Sequence, residues 1–128
     1  MNDTKKILLV EDDEDDRHFF IEALNQIENA DLMDVATSGS EALAKLANYP
    51  LLPDLIFMDI NMPRMSGLEC LEAITDSEQL KNIPVVIFCN SAVESKSMTR
   101  LGAKAFIRKS DDAETFKKEI EQVINHDL

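Results

Sequence analysis

Residues 55–59 read Leu-Ile-Phe-Met-Asp, a short apolar run that ends in a carboxylate. Another run, residues 7–12, ends in a Glu-Asp pair, and a third, residues 105–107, lies just before Lys109. Short apolar runs that alternate with helical patterns predict parallel strands, and parallel α/β sheets carry their sites at the carboxyl ends of the strands. We therefore expect three carboxylates and one ammonium to converge at one sheet edge, where they could bind a hard cation and a phosphoryl group.

The whole chain shows the same alternation of strand and helix patterns. Strands are expected near residues 5–10, 32–36, 54–59, 84–89 and 104–108, and helices near 13–28, 39–48, 66–75, 92–101 and 111–125. Capping-box sequences mark three of the helix starts, at residues 38–41, 66–69 and 91–94. The pattern predicts an α/β fold, a doubly wound parallel sheet with helices on both faces, in one domain that covers residues 1–128.

The composition excludes several classes of protein. The net charge is −12, with acids in excess over residues 1–90, so no basic face for nucleic acid is expected and protein partners are favoured. No apolar stretch approaches the ~20 residues of a membrane span, and no signal-peptide pattern precedes the first strand. Cys70 and Cys89 lie in apolar contexts, which favours free thiols. We expect a cytoplasmic protein that does not insert into a membrane.

The acidic run at residues 11–16 has two interpretations. Asp15 and Asp16 are interpreted as the solvated first turn of a helix, where the macrodipole favours negative charge. Glu11 and Asp12 come earlier, at the strand end, where a metal site shared with a neighbouring strand is the stronger interpretation. An EF-hand calcium loop is disfavoured because Arg17 stands where the tight-turn glycine should be.

Asp59 and Lys109 also have simpler interpretations. Asp59 begins an Asp-Ile-Asn-Met-Pro segment that could be only a capped turn, since Asp, Asn and Pro are common turn formers. Lys109 could be an ordinary surface lysine. The functional interpretation is favoured because both residues fall, like the Glu-Asp pair, at the ends of separate predicted strands.

Taken together, these motifs resemble those of response regulator receiver domains, such as the chemotaxis response regulator. The resemblance spans essentially the whole chain and is carried by residues 7–12, 53–63, 66–69 and 84–88 together with Lys109. It implies a flavodoxin-like five-stranded sheet of order 2-1-3-4-5 with five flanking helices. It also implies a stand-alone receiver without an output domain, a monomer or weak dimer. Such a protein is not an enzyme beyond catalysing its own phosphorylation and dephosphorylation.

The resemblance implies roles for the site residues. Asp59 would accept a phosphoryl group from the phosphohistidine of a sensor histidine kinase or a phosphotransfer protein. Mg²⁺ would be held by Asp12, Asp59 and the backbone carbonyl of Asn61, with Glu11 acting through water. Lys109 would bind a phosphoryl oxygen, which suits a compact ammonium.

Further roles concern signal output. Phe106 matches the aromatic residue that receivers move between outward and inward positions, and Cys89 takes the place of the hydroxyl residue coupled to it. Asn61 and Ser91 occupy positions that tune hydrolysis of the aspartyl phosphate. The resemblance also implies a downstream protein partner that binds the face formed by the fourth helix, fifth strand and fifth helix.

Two residues depart from the receiver pattern. Cys89 stands where receivers have Thr or Ser, and a thiol is a weak hydrogen-bond donor. Ser110 replaces the usual proline after Lys109 and is expected to cap the last helix. We predict that phosphorylation survives but that its coupling to Phe106 is weakened. The alternative is a phosphorylation-independent interaction module. An aspartyl-phosphate phosphatase is disfavoured because Asn61 stands where those enzymes have a second Asp.

Overall fold

The computed structural model describes residues 4–60, 62, 67–89, 102–109 and 112–125, with Cys89 described by its backbone. Within them lie five parallel strands in the order β2-β1-β3-β4-β5. This is the predicted flavodoxin-like order. The strands are β1 (Lys5–Val10), β2 (Ala30–Ala36), β3 (Leu55–Asp59), β4 (Val85–Cys89) and β5 (Ala105–Arg108).

Helices connect the strands and cover both sheet faces. The described residues form α1 (Glu14–Leu24), α2 (Gly39–Asn48), α3 (Gly67–Asp76) and a C-terminal helix (Ala113–Asn125). The helix expected at 92–101 and the capping serines Ser66 and Ser91 lie outside the described residues. No described helix is long and apolar enough to span a bilayer.

The first helix is shorter than the sequence predicted. It ends at Leu24 rather than near residue 28, because the amides of Gln26 and Ile27 turn back to the carbonyls of Ala23 and Leu24 at 3.2 and 3.0 Å. Such short-range bonds tighten the chain and end the helix. β2 begins at Ala30, two residues earlier than expected, because its first residues pair with the start of β1.

The core has two layers, one on each face of the sheet. Successive strand residues point to opposite faces, so Leu8 and Val10 pack with α2 and α3 while Ile7 and Leu9 pack with α1 and the C-terminal helix. The second layer contains a cluster of rings, with centroids 5.0–6.3 Å apart, formed by Phe19, Phe20, Phe57, Phe88 and Phe116. On the C-terminal helix, Phe116, Ile120 and Ile124 are buried against the sheet, whereas Ala113 is exposed.

Side-chain caps fix the start of the helices that flank the site. Asp13 accepts the amide of Asp16 at 2.9 Å and so begins α1 directly after the first strand. Ser38 accepts the amide of Glu41 at 3.1 Å at the start of α2, as its capping-box pattern predicted. The short connection after β1 therefore holds the acidic run against the sheet edge.

Candidate functional site

Three strands of the sheet end with charged side chains at one edge. Glu11 follows β1, Asp59 closes β3 and Lys109 follows β5. Backbone bonds fix the first two positions: the amide of Glu11 donates to Ala36 at 3.0 Å, and the amide of Ile60 donates to Phe88 at 3.2 Å. These bonds extend the sheet one residue past each strand end, so the carboxylates are held by rigid backbone.

Lys109 makes the central contacts of the site. Its Nζ lies 3.3 Å from Oε1 of Glu11 and 3.2 Å from Oδ2 of Asp59. Both carboxylates are buried, with side chains 3% and 5% exposed, whereas the lysine side chain is 25% exposed. The structure thus brings Glu11, Asp59 and Lys109 together as the sequence predicted, with the ammonium on the solvent side of the carboxylates.

Asp16 also belongs to this cluster, and here the sequence-based interpretation was wrong. Its Oδ2 lies 2.8 Å from Nζ of Lys109, the shortest of the three contacts. The side chain is 47% exposed, so it lies at the mouth of the site. Asp16 was expected to be a solvated residue of a helix first turn. It does occupy that turn, but one turn of helix also carries its carboxylate back over the strand end towards Lys109.

Arg17 is a second residue that sequence reasoning missed. Its Nη1 donates to the backbone carbonyls of Glu11 and Asp12 at 3.1 and 2.9 Å. The amide of Asp13 donates to Oε2 of Glu11 at 3.2 Å, which closes the loop further. The guanidinium therefore fixes the backbone that carries both acids. The available sequence signal was its position in the first turns of α1, six residues after Glu11 and five residues after Asp12.

Burial and neighbouring charge shift the protonation of the site. Burial, and then hydrogen bonding and repulsion from Asp59, raise the pKa of Glu11 to about 8. For Lys109, burial lowers the pKa, but the hydrogen bond to Asp16 and the charges of Asp59 and Glu11 outweigh it, so the pKa stands above its ordinary value. At neutral pH the metal-free site therefore holds a charged lysine and a mainly protonated Glu11.

The carboxylates also suit a divalent cation. Glu11, Asp12 and Asp59 each offer one oxygen, and these oxygens all lie within 4.8 Å of one another. Hard oxygen donors are the ligands that Mg²⁺ takes, with water completing its shell. The residues present therefore fit Mg²⁺. The backbone carbonyl of Asn61, expected as a further ligand, lies outside the described residues.

A glycine lets α3 approach the end of β3 closely. The amide of Gly67 donates to the carbonyl of Ile60 at 3.0 Å. A Cβ at this position would lie 2.6 Å from Cα of Ile60 and would also clash with the carbonyl oxygen of Asp59. Glycine is the residue that permits such backbone contact. The helix start thus packs directly on the backbone that carries Asp59.

The structure describes only some of the remaining predicted site residues. Phe106 lies on β5 at the edge of the sheet with 46% of its surface exposed. The backbone of Cys89 ends β4 and pairs with Arg108, while its side chain lies outside the described part of the chain. Ser91 and Ser110 also lie outside it. The roles of all four in switching, capping and hydrolysis stay predictions.

Comparison with known proteins gives the family. The profile of the response regulator receiver domain matches residues 7–121. The polar-differentiation response regulator DivK of Brucella ovis is 35% identical over 109 residues, which are 83% of this chain and 85% of DivK. A protein-glutamate methylesterase/protein-glutamine glutaminase of Syntrophomonas wolfei is 35% identical over 82% of this chain. The chain spans only 30% of that relative and 34% of a similar one from Trichodesmium erythraeum, about a third of each.

Solved structures give the same result. The phosphorylated cyanobacterial phytochrome response regulator RcpA superposes with a TM-score of 0.81 at 32% identity, over 94% of this chain and 91% of that one. The chemotaxis response regulator CheY4 of Vibrio cholerae gives 0.79 at 29% identity, over 94% and 98%. The Mn²⁺-bound response regulator Rcp1 gives 0.78 at 29% identity, over 93% and 91%. With its sheet order, its cluster of acids and its lysine, the chain belongs to the response regulator receiver domains of two-component signalling.

Proposed function

We propose that this receiver takes a phosphoryl group onto Asp59 from the phosphohistidine of a sensor histidine kinase or a phosphotransfer protein. One observation carries the proposal: a buried Asp59 carboxylate lies 3.2 Å from the Lys109 ammonium and beside the oxygens of Glu11 and Asp12. The relative described as phosphorylated RcpA and the Mn²⁺-bound Rcp1 share this fold and support the same chemistry here.

The transfer itself needs little from the protein beyond position and charge. A carboxylate oxygen of Asp59 attacks phosphorus, and the phosphorus–nitrogen bond of the phosphohistidine breaks. The electron pair stays on the imidazole nitrogen, which takes a proton, and Asp59 becomes an acyl phosphate. Lys109 lies close enough to Asp59 to pair with a phosphoryl oxygen, where its charge offsets that of the transferred group.

Glu11, Asp12 and Asp59, with the Asn61 carbonyl, are the residues that would hold Mg²⁺. When bound, the ion would supply positive charge to the carboxylates and to the phosphoryl oxygens. The protonated Glu11 would have to release its proton for a cation to bind, so binding should be weaker at acidic pH. Arg17 and Gly67 contribute by holding the backbone on either side of these ligands.

We further propose that this receiver acts as a cytoplasmic switch whose output is a protein contact. The exposed Phe106 on β5 and the neighbouring C-terminal helix would form part of the contact face, together with the predicted fourth helix. Cys89 offers a weaker donor than the usual hydroxyl, and Ser110 lacks the rigidity of proline. We therefore expect phosphorylation to shift Phe106 less completely than a hydroxyl at residue 89 would allow.

The test is intact-mass spectrometry of the pure protein incubated with acetyl phosphate and Mg²⁺. We expect a gain of one phosphoryl group that is lost in Asp59→Asn and in EDTA. The matched control is Asp31→Asn, which removes an exposed carboxylate near the start of β2, and this variant should be phosphorylated normally. No gain in a folded wild-type protein would overturn the proposal and favour the phosphorylation-independent interaction module.

A further inference from the structure

Two overlapping sets of carboxylates share the site. Glu11, Asp12 and Asp59 have oxygens close enough to hold one cation. Glu11, Asp59 and Asp16 have oxygens within 3.3 Å of Nζ of Lys109. The sets have Glu11 and Asp59 in common, so a metal ion and the lysine compete for the same two groups. Asp12 belongs to the metal set alone, and Asp16 belongs to the lysine set alone.

Because the metal ion and Lys109 compete for Glu11 and Asp59, the contact of Lys109 with Asp16, which is not among the metal ligands, becomes important for holding the ammonium. A divalent ion held by Glu11 and Asp59 would repel the ammonium of Lys109, which would then lose at least part of its contact with these carboxylates. Asp16 makes the shortest contact with Nζ, at 2.8 Å, and its carboxylate lies nearer solvent than the other two. The ammonium can therefore stay paired with Asp16 while the metal takes the buried carboxylates.

We propose that Asp16 is a positioning residue that keeps Lys109 at the mouth of the site when a divalent cation binds. This rests on the proposed function, since it concerns the same metal and the same lysine. Without Asp16, the partners of Lys109 among the described residues are Glu11 and Asp59, and a metal ion would have to displace the ammonium from both. Removing the Asp16 charge should then weaken metal binding through the lysine.

The effect can be separated from a general loss of negative charge. Asp15 neighbours Asp16 in the first turn of α1, carries the same charge and is exposed, so Asp15→Asn is a matched control. Lys109→Met removes the group through which Asp16 is proposed to act. A double-mutant cycle of Asp16→Asn with Lys109→Met then isolates the part of the effect that passes through the lysine.

The experiment is isothermal titration calorimetry of the full chain with Mg²⁺. We expect Asp16→Asn to raise the dissociation constant by about three- to fivefold, as for a strong but partly exposed ion pair. Asp15→Asn should change it by less than about 1.5-fold. In the Lys109→Met background, Asp16→Asn should have no more effect than Asp15→Asn. Asp16→Glu, which keeps the charge, should restore most of the affinity.

Other results would overturn the inference. Equal effects of Asp16→Asn and Asp15→Asn, or an undiminished effect of Asp16→Asn in Lys109→Met, would show that only the surface charge matters. Tighter Mg²⁺ binding by Asp16→Asn would show that Asp16 holds the lysine against the metal. A wild-type protein that binds no Mg²⁺ and gains no phosphoryl group would instead refute the proposed function. If the wild-type protein binds Mg²⁺ and gains a phosphoryl group, but Asp16→Asn has the same Mg²⁺ dissociation constant as wild type, then the role of Asp16 is refuted and the proposed function stands.

Discussion

Nζ of Lys109 lies 3.2 Å from Oδ2 of Asp59, although 50 residues separate the two in the chain. They meet because β3 and β5 run parallel on either side of β4, so their carboxyl ends lie at the same edge of the sheet. Every prediction about chemistry at this site depends on that pairing or on the groups that hold it in place.

Loss of the lysine charge should destabilise the metal-free protein. Lys109→Met removes the ammonium that lies against two buried carboxyl groups, and we expect the free energy of unfolding to fall by about 1–3 kcal/mol at pH 8. Urea denaturation in EDTA measures this. Lys104→Met, at an exposed residue before β5, is the control and should change stability by less than about 0.5 kcal/mol. Equal losses in the two variants would contradict the importance of the Lys109 contacts.

Glu11 should make the metal-free protein less stable as the pH rises. Its pKa is about 8 in the folded protein against an ordinary value of 4.5, so between these values the folded state holds a proton that the unfolded state has lost. Unfolding then releases a proton, and raising the pH favours it, by up to about 1.4 kcal/mol per pH unit. Urea titrations in EDTA from pH 5 to pH 8 measure the slope.

The matched variants for this slope are Glu11→Gln and Glu22→Gln. Gln at residue 11 cannot ionise, so the decline between pH 5 and pH 8 should be strongly reduced. Glu22 is an exposed glutamate of α1, and its replacement should leave the slope unchanged. A wild-type protein that gains stability over this range would show that Glu11 is ionised in the folded state.

Arg17 should fix the acid-bearing loop. Arg17→Ala removes both contacts of the guanidinium with the carbonyls of Glu11 and Asp12. We expect a loss of about 1–3 kcal/mol in stability and faster hydrogen exchange of the Asp13 amide, measured by NMR. His18→Ala, at the exposed next residue, is the control. Unchanged exchange at Asp13 in Arg17→Ala would mean that the loop is held by the sheet alone.

Gly67 should be intolerant of even a methyl group. Gly67→Ala places a Cβ 2.6 Å from Cα of Ile60, so either α3 or the backbone after Asp59 must move. Overpacking of this kind costs about 1–3 kcal/mol, and acetyl phosphate labelling of Asp59 should also slow. Ser40→Ala, at an exposed position of α2, should alter neither property. Normal stability together with normal labelling in Gly67→Ala would contradict this close approach.

Cys89→Thr should strengthen the switch. A hydrogen bond from a hydroxyl to a charged phosphoryl oxygen is worth about 1.5–3 kcal/mol. In phosphorylated Cys89→Thr we therefore expect the ratio of switched to unswitched Phe106 to be about tenfold higher than in the phosphorylated wild-type protein. ¹⁹F NMR of protein labelled with fluorophenylalanine measures the populations, and Phe106→Leu assigns the signal. Cys70→Ser, a change at a buried cysteine of α3, controls for removal of a thiol. Identical populations in Cys89→Thr and wild type would remove Cys89 from the switch.

The sequence was sufficient to predict the sheet and four members of the site. Short apolar runs and the charged residues that follow them reveal the strand ends, and Glu11, Asp12, Asp59 and Lys109 come together where that pattern predicted. Strand order followed from the resemblance to receivers and is confirmed. Helix ends were less predictable, because hydrogen bonds at Gln26 and Ile27 rather than hydropathy end α1.

Only the tertiary structure decided the roles of Asp16, Arg17 and Gly67. In the sequence, Asp16 is one acid among several, and the pattern fits a solvated residue at a helix start as well as it fits a partner of Lys109. Whether its carboxylate faces water or Lys109 depends on how α1 leaves β1 and on where β5 ends, and these are separated by most of the chain. Local patterns determine which elements form and which residues end them, whereas contacts between side chains of distant elements depend on packing geometry that no local pattern contains.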